Sequence, residues 1–371
     1  MTDALDRDEL AAWLQLAETP KVGRESARKL LAAFGSPEAV MAASFDSHRK
    51  VVSEAAARAL MAPPADFDAK LERALAWLSE RSDTPRAIIP LGDARYPPQL
   101  LNTADPPLLL YAQGRVDLLH GEAVAIVGSR NPTPQGALNA REFAQALGEA
   151  GWIIVSGLAL GVDGAAHEGA LAAAAGTIAV VGTGLDRVYP RRHFDLAHRI
   201  ARGGLMLSEY GLGTPALAAH FPQRNRLIAG LSRGTLVIEA ALESGSLITA
   251  RLALEASREV FAIPGSIHSP QSRGCHALIK QGAKLVESAA DVLDELPALA
   301  AVRPRTAAAM AEMELNDPLL AAMGYEVMSL DALVARTGWS AHALNTHLLD
   351  LELSGQVARL PGQRFQRIAS S

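Results

Sequence analysis

Three glycine-rich junctions are the parts of this chain best equipped for chemistry: Gly128-Ser129-Arg130, Ser156-Gly157-Leu158-Ala159-Leu160-Gly161 and Gly182-Thr183-Gly184. Each follows a short apolar run and precedes a plausible helix. Glycine lets a backbone approach a ligand closely, and a helix N-terminus presents unpaired N–H groups. Several such loops on one sheet edge suit several phosphates. A nucleotide or a nucleic-acid strand fits that better than a small apolar substrate.

Cations gather in two later strings, Asp186-Arg187-Val188-Tyr189-Pro190-Arg191-Arg192-His193 and His220-Phe221-Pro222-Gln223-Arg224-Asn225-Arg226. Arginine with an aromatic such as Tyr189 or Phe221 offers charge for phosphates and a ring for bases, which is what a single-strand channel needs. The alternative is that these arginines cap helix ends or pair with Glu209, Glu239 and Glu243. Hydrolytic machinery is not in view. A Walker loop needs Gly-Lys-Ser/Thr, and the chain has no Gly-Lys pair. The dinucleotide fingerprint fails because Gly182-Thr183-Gly184-Leu185-Asp186-Arg187 lacks a third glycine. Asp163 is expected to cap the next helix and His167 to pack inside it. Cys275, the only cysteine, reads as a small buried residue and excludes both an intramolecular disulfide and a cysteine-rich zinc site. No metal, cofactor or catalytic residue is expected.

The elements that must position these loops follow from spacing. Strands are expected at Ala123–Val127, Trp152–Val155, Thr177–Val181, Leu205–Ser208, Thr235–Glu239 and Val260–Ile263. Helical patterns such as Gln135–Glu149 and Leu247–Ala256 lie between them. Strand–helix alternation predicts an α/β fold with a mostly parallel sheet and helices on both faces. Ligands bind at the carboxyl ends of the strands in such sheets, where the three junctions fall.

Residues 1–80 read as a helical domain, with Asp8–Ala17 at helical spacing. Thr19 to Leu31, with a turn at Gly23, resembles a helix-hairpin-helix or SAM-like unit; it either holds a DNA phosphate or only keeps the shape. Pro63-Pro64, Pro97-Pro98 and Pro106-Pro107 punctuate short apolar runs at Ala87–Ile89 and Leu108–Tyr111, expected to be edge strands and loops leading into the main sheet. The core is bounded at 81–296, and 297–316 reads as an Ala-rich linker. Residues 317–371 read as a winged helix: helices Leu330–Thr337 and Ser340–Leu353 about a turn at Gly338-Trp339-Ser340, Gly355 ending the second, then strands Val357–Leu360 and Arg364–Ile368 about Pro361-Gly362-Gln363. Such a unit binds duplex DNA or a protein. Its second helix, with Asp350 and Glu352 and no Lys or Arg, is a poor groove reader.

A net charge of −5 over 371 residues means that any nucleic-acid site is a local patch. Six Lys stand against 29 Arg, a skew that codon composition or a demand for bidentate phosphate contacts would produce. The acidic start has no apolar core of a secretory signal. The longest uncharged run, Gly169 to Leu185, is short of a membrane span. A cytoplasmic location and no membrane contact are expected.

At these residues the chain resembles the bacterial DNA processing protein A family (DprA, also called Smf). The matching strings are Ala125-Ile126-Val127-Gly128-Ser129-Arg130; Ser156-Gly157-Leu158-Ala159 with Gly161-Val162-Asp163 and His167; Gly182-Thr183-Gly184-Leu185-Asp186 with Tyr189-Pro190; Phe221-Pro222 with Arg224 to Ser232; Glu243 to Ala250; and Pro264-Gly265. They run in one order over about residues 85–290. The resemblance implies an extended Rossmann-like core that binds single-stranded DNA without hydrolysing it. It implies a homodimer that protects incoming DNA in natural transformation and helps load the RecA recombinase, with a single-strand-binding protein as a further partner. It also implies a DNA pocket made by Gly128, Ser129, Arg130, Ser156, Gly157, Gly182, Gly184, Arg191, Arg192, Phe221, Arg224, Asn225 and Arg226, with backbone N–H groups holding phosphates.

Two rivals stand beside it. Ser232-Arg233-Gly234-Thr235-Leu236-Val237-Ile238-Glu239 resembles the Gly-Gly-x-Gly-Thr-x-x-Glu motif of nucleoside monophosphate phosphoribohydrolases, with Arg233 where that motif has glycine. That reading puts Glu239 in an active site. The other rival is a duplex-binding regulator acting through the tail.

Overall fold

The central strands are apolar without alternation, as expected where both sheet faces are covered by helices. In the computed structural model they are β3 (Ala123–Gly128), β4 (Ile153–Ser156), β5 (Thr177–Val180), β6 (Leu205–Ser208), β7 (Gly234–Ile238) and β8 (Glu259–Ala262). They lie within a residue or two of the expected ranges. Two earlier strands, β1 (Arg86–Pro90) and β2 (Leu109–Gly114), and a short β9 (Lys284–Leu285) complete a nine-stranded sheet in the order β1-β2-β6-β5-β4-β3-β7-β8-β9. β1–β2 and β2–β6 are antiparallel and the remaining pairs are parallel. The structure describes residues 5–297, 299, 317–323, 328–353, 356–360 and 364–367.

Side chains on the parallel strands still sort by face. On β5, Ile178 and Val180 pack in the large core that contains Leu227, Ile228 and Leu231 of the His220–Leu231 helix and Ala250 and Ala253 of the Gly245–Glu255 helix. Ala179 and Val181 pack with Leu196, Ala197, Ile200 and Ala201 of the Phe194–Gly203 helix. Period two along a strand and two helical layers make a three-layer sandwich. Each buried Leu or Ile contributes about 2 kcal/mol. The chain leaves β3, builds β4, β5 and β6 outward on one side, then returns to place β7 on the other. Strand order reverses beside β3, and the carboxyl ends of β3 and β7 open a crevice there.

The helical head packs directly on the antiparallel edge. Leu10, Trp13 and Leu14 of the Arg7–Glu18 helix share a core with Phe67, Leu71, Ala74 and Trp77 of the Phe67–Ser79 helix and with Ile88, Leu109 and Tyr111 of β1 and β2. Gly23 precedes the Arg24–Phe34 helix. Arg24 and Arg28 of that helix both pair with Asp105, so these cations face protein rather than solvent phosphate.

Met1–Ala298 and Leu299–Ser371 are two compact units. In the second, Leu330–Thr337 and Ala341–Leu353 are helices about Gly338, which adopts the left-handed conformation. Strands Met328–Ser329, Arg364–Arg367 and Val357–Leu360 form a three-stranded antiparallel sheet in that order. Leu333, Leu344, Leu348, Val357 and Phe365 close its core. This is the expected winged helix. The expected linker, but for Pro297 and Leu299, and Gly355, the Pro361-Gly362-Gln363 turn and Ile368 lie outside the described residues. Among the described residues no helix is long and apolar enough to cross a membrane, and no group of three or more His, Cys, Asp or Glu is arranged to hold a metal ion.

Candidate nucleic-acid interface

The loops after β3, β4, β5, β6 and β7 surround one cleft of about 740 Å³, within the range of ligand sites. Its floor is fixed by buried polar contacts. Ser156 is fully buried and its hydroxyl donates to the Ile126 carbonyl at 2.6 Å, tying the end of β4 to β3. The Asp163 carboxylate accepts from the N–H groups of Gly157 at 3.1 Å and Ala159 at 3.2 Å. Asp163 was expected to cap the Val162–Ala172 helix. Gly161 instead stands at the cap, at φ +83°, where a Cβ would lie 2.4 Å from the Ser129 carbonyl oxygen. Asp163 sits inside the first turn and braces the loop before it. His167 packs inside, as expected, with Nδ1 2.8 Å from the Thr177 hydroxyl. Burial pushes its pKa down to about 3, helped by His193 and Arg224.

Arg224 is the keystone of this floor. It is 4% exposed. Its guanidinium donates to the carbonyls of Gly157 (2.6 Å) and Val180, and to the Asn225 side-chain oxygen at 3.0 Å. Burial lowers its pKa to about 10 against the attraction of Asp163, so it stays protonated at neutral pH. Burial likewise raises the Asp163 carboxyl, against the same attraction. A Cβ on Gly157 would fall 2.4 Å from the Arg224 nitrogens, so this arginine can lie here only because residue 157 has no side chain.

The open face has a different composition. Arg130 stands exposed, with its guanidinium carbon 5.9 Å from the centroid of the Phe221 ring. Phe221 meets Tyr189 with centroids 5.4 Å apart at 41°. Gly128, Ser129, Arg130, Phe221, Arg224 and Asn225 all line the cleft, as their sequence positions led us to expect. The others stand elsewhere. Gly157 and Gly182 are buried behind the lining; the Gly182 carbonyl accepts from His220 Nδ1 at 3.1 Å. Gly184 is buried, with its N–H donating to Thr214 at 3.1 Å. Arg191 and Arg192 are exposed on a short turn next to the cleft but outside its lining. Arg226 ion-pairs with Glu209 and donates to the Asp105 carbonyl at 2.7 Å, away from the cleft.

Two expectations therefore change. The N–H groups of Gly157, Ser129 and Gly184 already donate within the protein and are not free for phosphates. Arg224 and Arg226 are committed to carbonyls and a carboxylate. Tyr189, named in the sequence as a ring for bases but not among the implied pocket residues, also lines the cleft; the Ser244-Gly245-Ser246 start of the Gly245–Glu255 helix lines it too and was not foreseen as part of the pocket. The signal was there, since Gly and Ser at a helix start mark a loop that a ligand approaches. Glu239, the carboxylate of the hydrolase rival, is not in the lining. It sits at φ +50° and accepts from the Thr133 N–H at 2.7 Å and from the Thr133 hydroxyl, holding the start of the Pro134–Glu149 helix.

Comparison with known proteins agrees with this architecture. The family model for DNA recombination-mediator protein A matches residues 87–297, and that for the DprA winged helix domain matches 303–363. Protein Smf of Escherichia coli is 44% identical over 304 residues, 79% of each chain. DNA processing protein DprA of Streptococcus pneumoniae is 52% identical over 203 residues, 55% of this chain and 72% of that one. The X-ray structure of S. pneumoniae DprA superposes with a TM-score of 0.67 at 38% identity, covering 79% of this chain and 99% of that one. A structure of DNA processing protein A from Helicobacter pylori, studied for its single-stranded DNA binding mode, superposes with a TM-score of 0.51 at 33% identity, covering 56% and 94%. From the core match and from a relative similar along most of its length, this chain belongs to the DNA recombination-mediator protein A family.

Proposed function

We propose that the cleft binds single-stranded DNA as a non-catalytic protein of DNA processing in transformation, protecting the strand and handing it to the RecA recombinase. The observation that carries the reading is the Arg130–Phe221–Tyr189 cluster at the cleft mouth: a guanidinium with no carboxylate partner among the described residues beside two partly exposed rings. The ring faces stack bases of any sequence, and Arg130 neutralises a phosphate. The first turn of the Gly245–Glu255 helix adds a positive dipole end on the same wall. The relative from H. pylori, with its single-stranded DNA binding mode, supports the same ligand class. Dimerisation joins two such clefts into one track, from which RecA is loaded, with single-strand-binding protein as a further partner.

The test is binding of the purified full chain to a labelled oligo-dT and to a duplex of equal length, across a salt series without ATP. The expected result is preferential, salt-sensitive binding of the single strand. Preference for the duplex would transfer the function to the winged helix. Absence of binding, with turnover of a nucleoside monophosphate, would transfer it to the hydrolase reading.

A further inference from the structure

The cleft presents a single exposed arginine, Arg130, alongside the carboxylate of Glu243. That is little charge for a polyanion. Exposed cations follow the cleft along the chain. Arg187, Arg191, Arg192, Arg199 and Arg202 are all exposed, and among the described residues none has a carboxylate within ion-pair distance. This is unlike Arg24, Arg28, Arg95, Arg226 and Arg233, which are each paired.

Their placement is ordered. The Arg191–His193 turn is pinned to the cleft floor, because His193 Nδ1 donates to the Leu158 carbonyl at 3.0 Å and its ring lies against Gly164. The Phe194–Gly203 helix starts at that turn. It crosses from the carboxyl edge of β5 back to the amino edge, where β6 begins at Leu205. Its buried face is Leu196, Ala197, Ile200 and Ala201. Its outer stripe is Phe194, Asp195, His198, Arg199 and Arg202, about 12 Å long. Phe194 is 53% exposed and its ring meets that of His198 with centroids 4.3 Å apart at 43°. Tyr189, 50% exposed, already touches Phe221 inside the cleft. Large rings exposed beside unpaired guanidiniums have no role in the core. The same combination of charge and ring serves a single strand.

We infer that the DNA strand leaves the cleft past Tyr189 and continues along the outer face of the Phe194–Gly203 helix, with Phe194 as a second stacking platform and Arg199 and Arg202 as phosphate contacts. This rests on the single-strand reading of the cleft and extends its footprint by about two or three nucleotides. Short and long strands then respond differently to changes on the helix, because a short one is held by the cleft alone.

The test uses the full chain with labelled dT6 and dT20, read by anisotropy over a salt series, for the wild type, Phe194→Ala, and the Arg199→Ala/Arg202→Ala pair. The expected result is loss confined to dT20: about fivefold or more for Phe194→Ala, and for the double variant a salt slope lower by about 1.4. dT6 binding stays unchanged. Equal affinities of the variants and the wild type for dT20 would overturn the extension and leave the cleft reading standing. So would an equal loss for dT6 and dT20. Failure of the wild type to bind either oligonucleotide would overturn both.

Discussion

The cleft and the junction between the helical head and the antiparallel sheet edge both hold arginines, and at the cleft mouth and the junction these are used in opposite ways. At the junction Arg24 and Arg28 share Asp105, and Arg226 pairs with Glu209, whose side chain is only 5% exposed. Burial opposes ionisation of Asp105, but the hydrogen bonds from Arg28 and Arg24 win and hold its carboxyl below the ordinary range. Every cation there is spent on protein. At the cleft mouth Arg130 has an aromatic ring beside it and no described carboxylate partner. The lesson is that an arginine becomes available to phosphate only where the fold brings neither a carboxylate nor a buried carbonyl to it. Arg224 and Arg226, two residues apart on one helix, both fail that condition, one to carbonyls and one to Glu209.

The sharpest way to break this comparison is Arg226→Ala. It strips buried Glu209 of its main partner and should cost about 3 kcal/mol in a urea unfolding curve. The salt dependence of oligonucleotide binding should not move; a lower slope would make Arg226 a phosphate ligand after all. Arg224→Ala should cost about 2–3 kcal/mol, because it leaves the Gly157 and Val180 carbonyls and Asp163 without their donor or counter-charge. Affinity for oligo-dT should fall as the loops relax, again at constant slope, whereas a change in slope with full stability would place Arg224 on the DNA.

Acid provides a third probe of the cleft floor. The unfolded chain protonates His167 near pH 6.5, while the fold holds it neutral down to about pH 3. The stability from that neutral His167 is therefore complete above about pH 6.5. It falls as pH drops, by about 2 kcal/mol at pH 5. His167→Gln should flatten this part of the profile, and an unchanged profile would assign the acid sensitivity to other groups. The smallest expected change in stability belongs to Arg130→Ala, within about 0.5 kcal/mol of the wild type. Its signature is in binding, where the salt slope should drop by about 0.7. An unaltered slope would move the phosphate contact off the cleft mouth.

Much of the fold was readable because periodicity and punctuation agree along the core. Apolar runs of four to six residues separated by helical stretches mark β3 to β8; β3 to β6 run into Gly or Ser, β7 into Glu239 and β8 into Ile263-Pro264. The tail was equally legible, with Gly338 and flanking helices where expected. The Gly-Ser-Arg loops stand out in the sequence because glycine at a strand end marks a tight turn into the next helix. What periodicity cannot report is which neighbour a side chain meets. Ser156, Arg224 and Arg226 look like Ser129 and Arg130 in a string of letters.

The sequence by itself determined the order of the core elements, the α/β class and the winged helix, because these depend on local patterns of apolar, Gly and Pro residues. Only the tertiary structure decided which of the cations and N–H groups remain available. That depends on partners far apart in the chain: Gly157 and Val180 for Arg224, Glu209 and Asp105 for Arg226, Asp163 for the loop after β4, Thr133 for Glu239. Charge and hydrogen bonding act across space and saturate, so a residue's type sets what it can bind and its neighbours set whether anything is left to bind with.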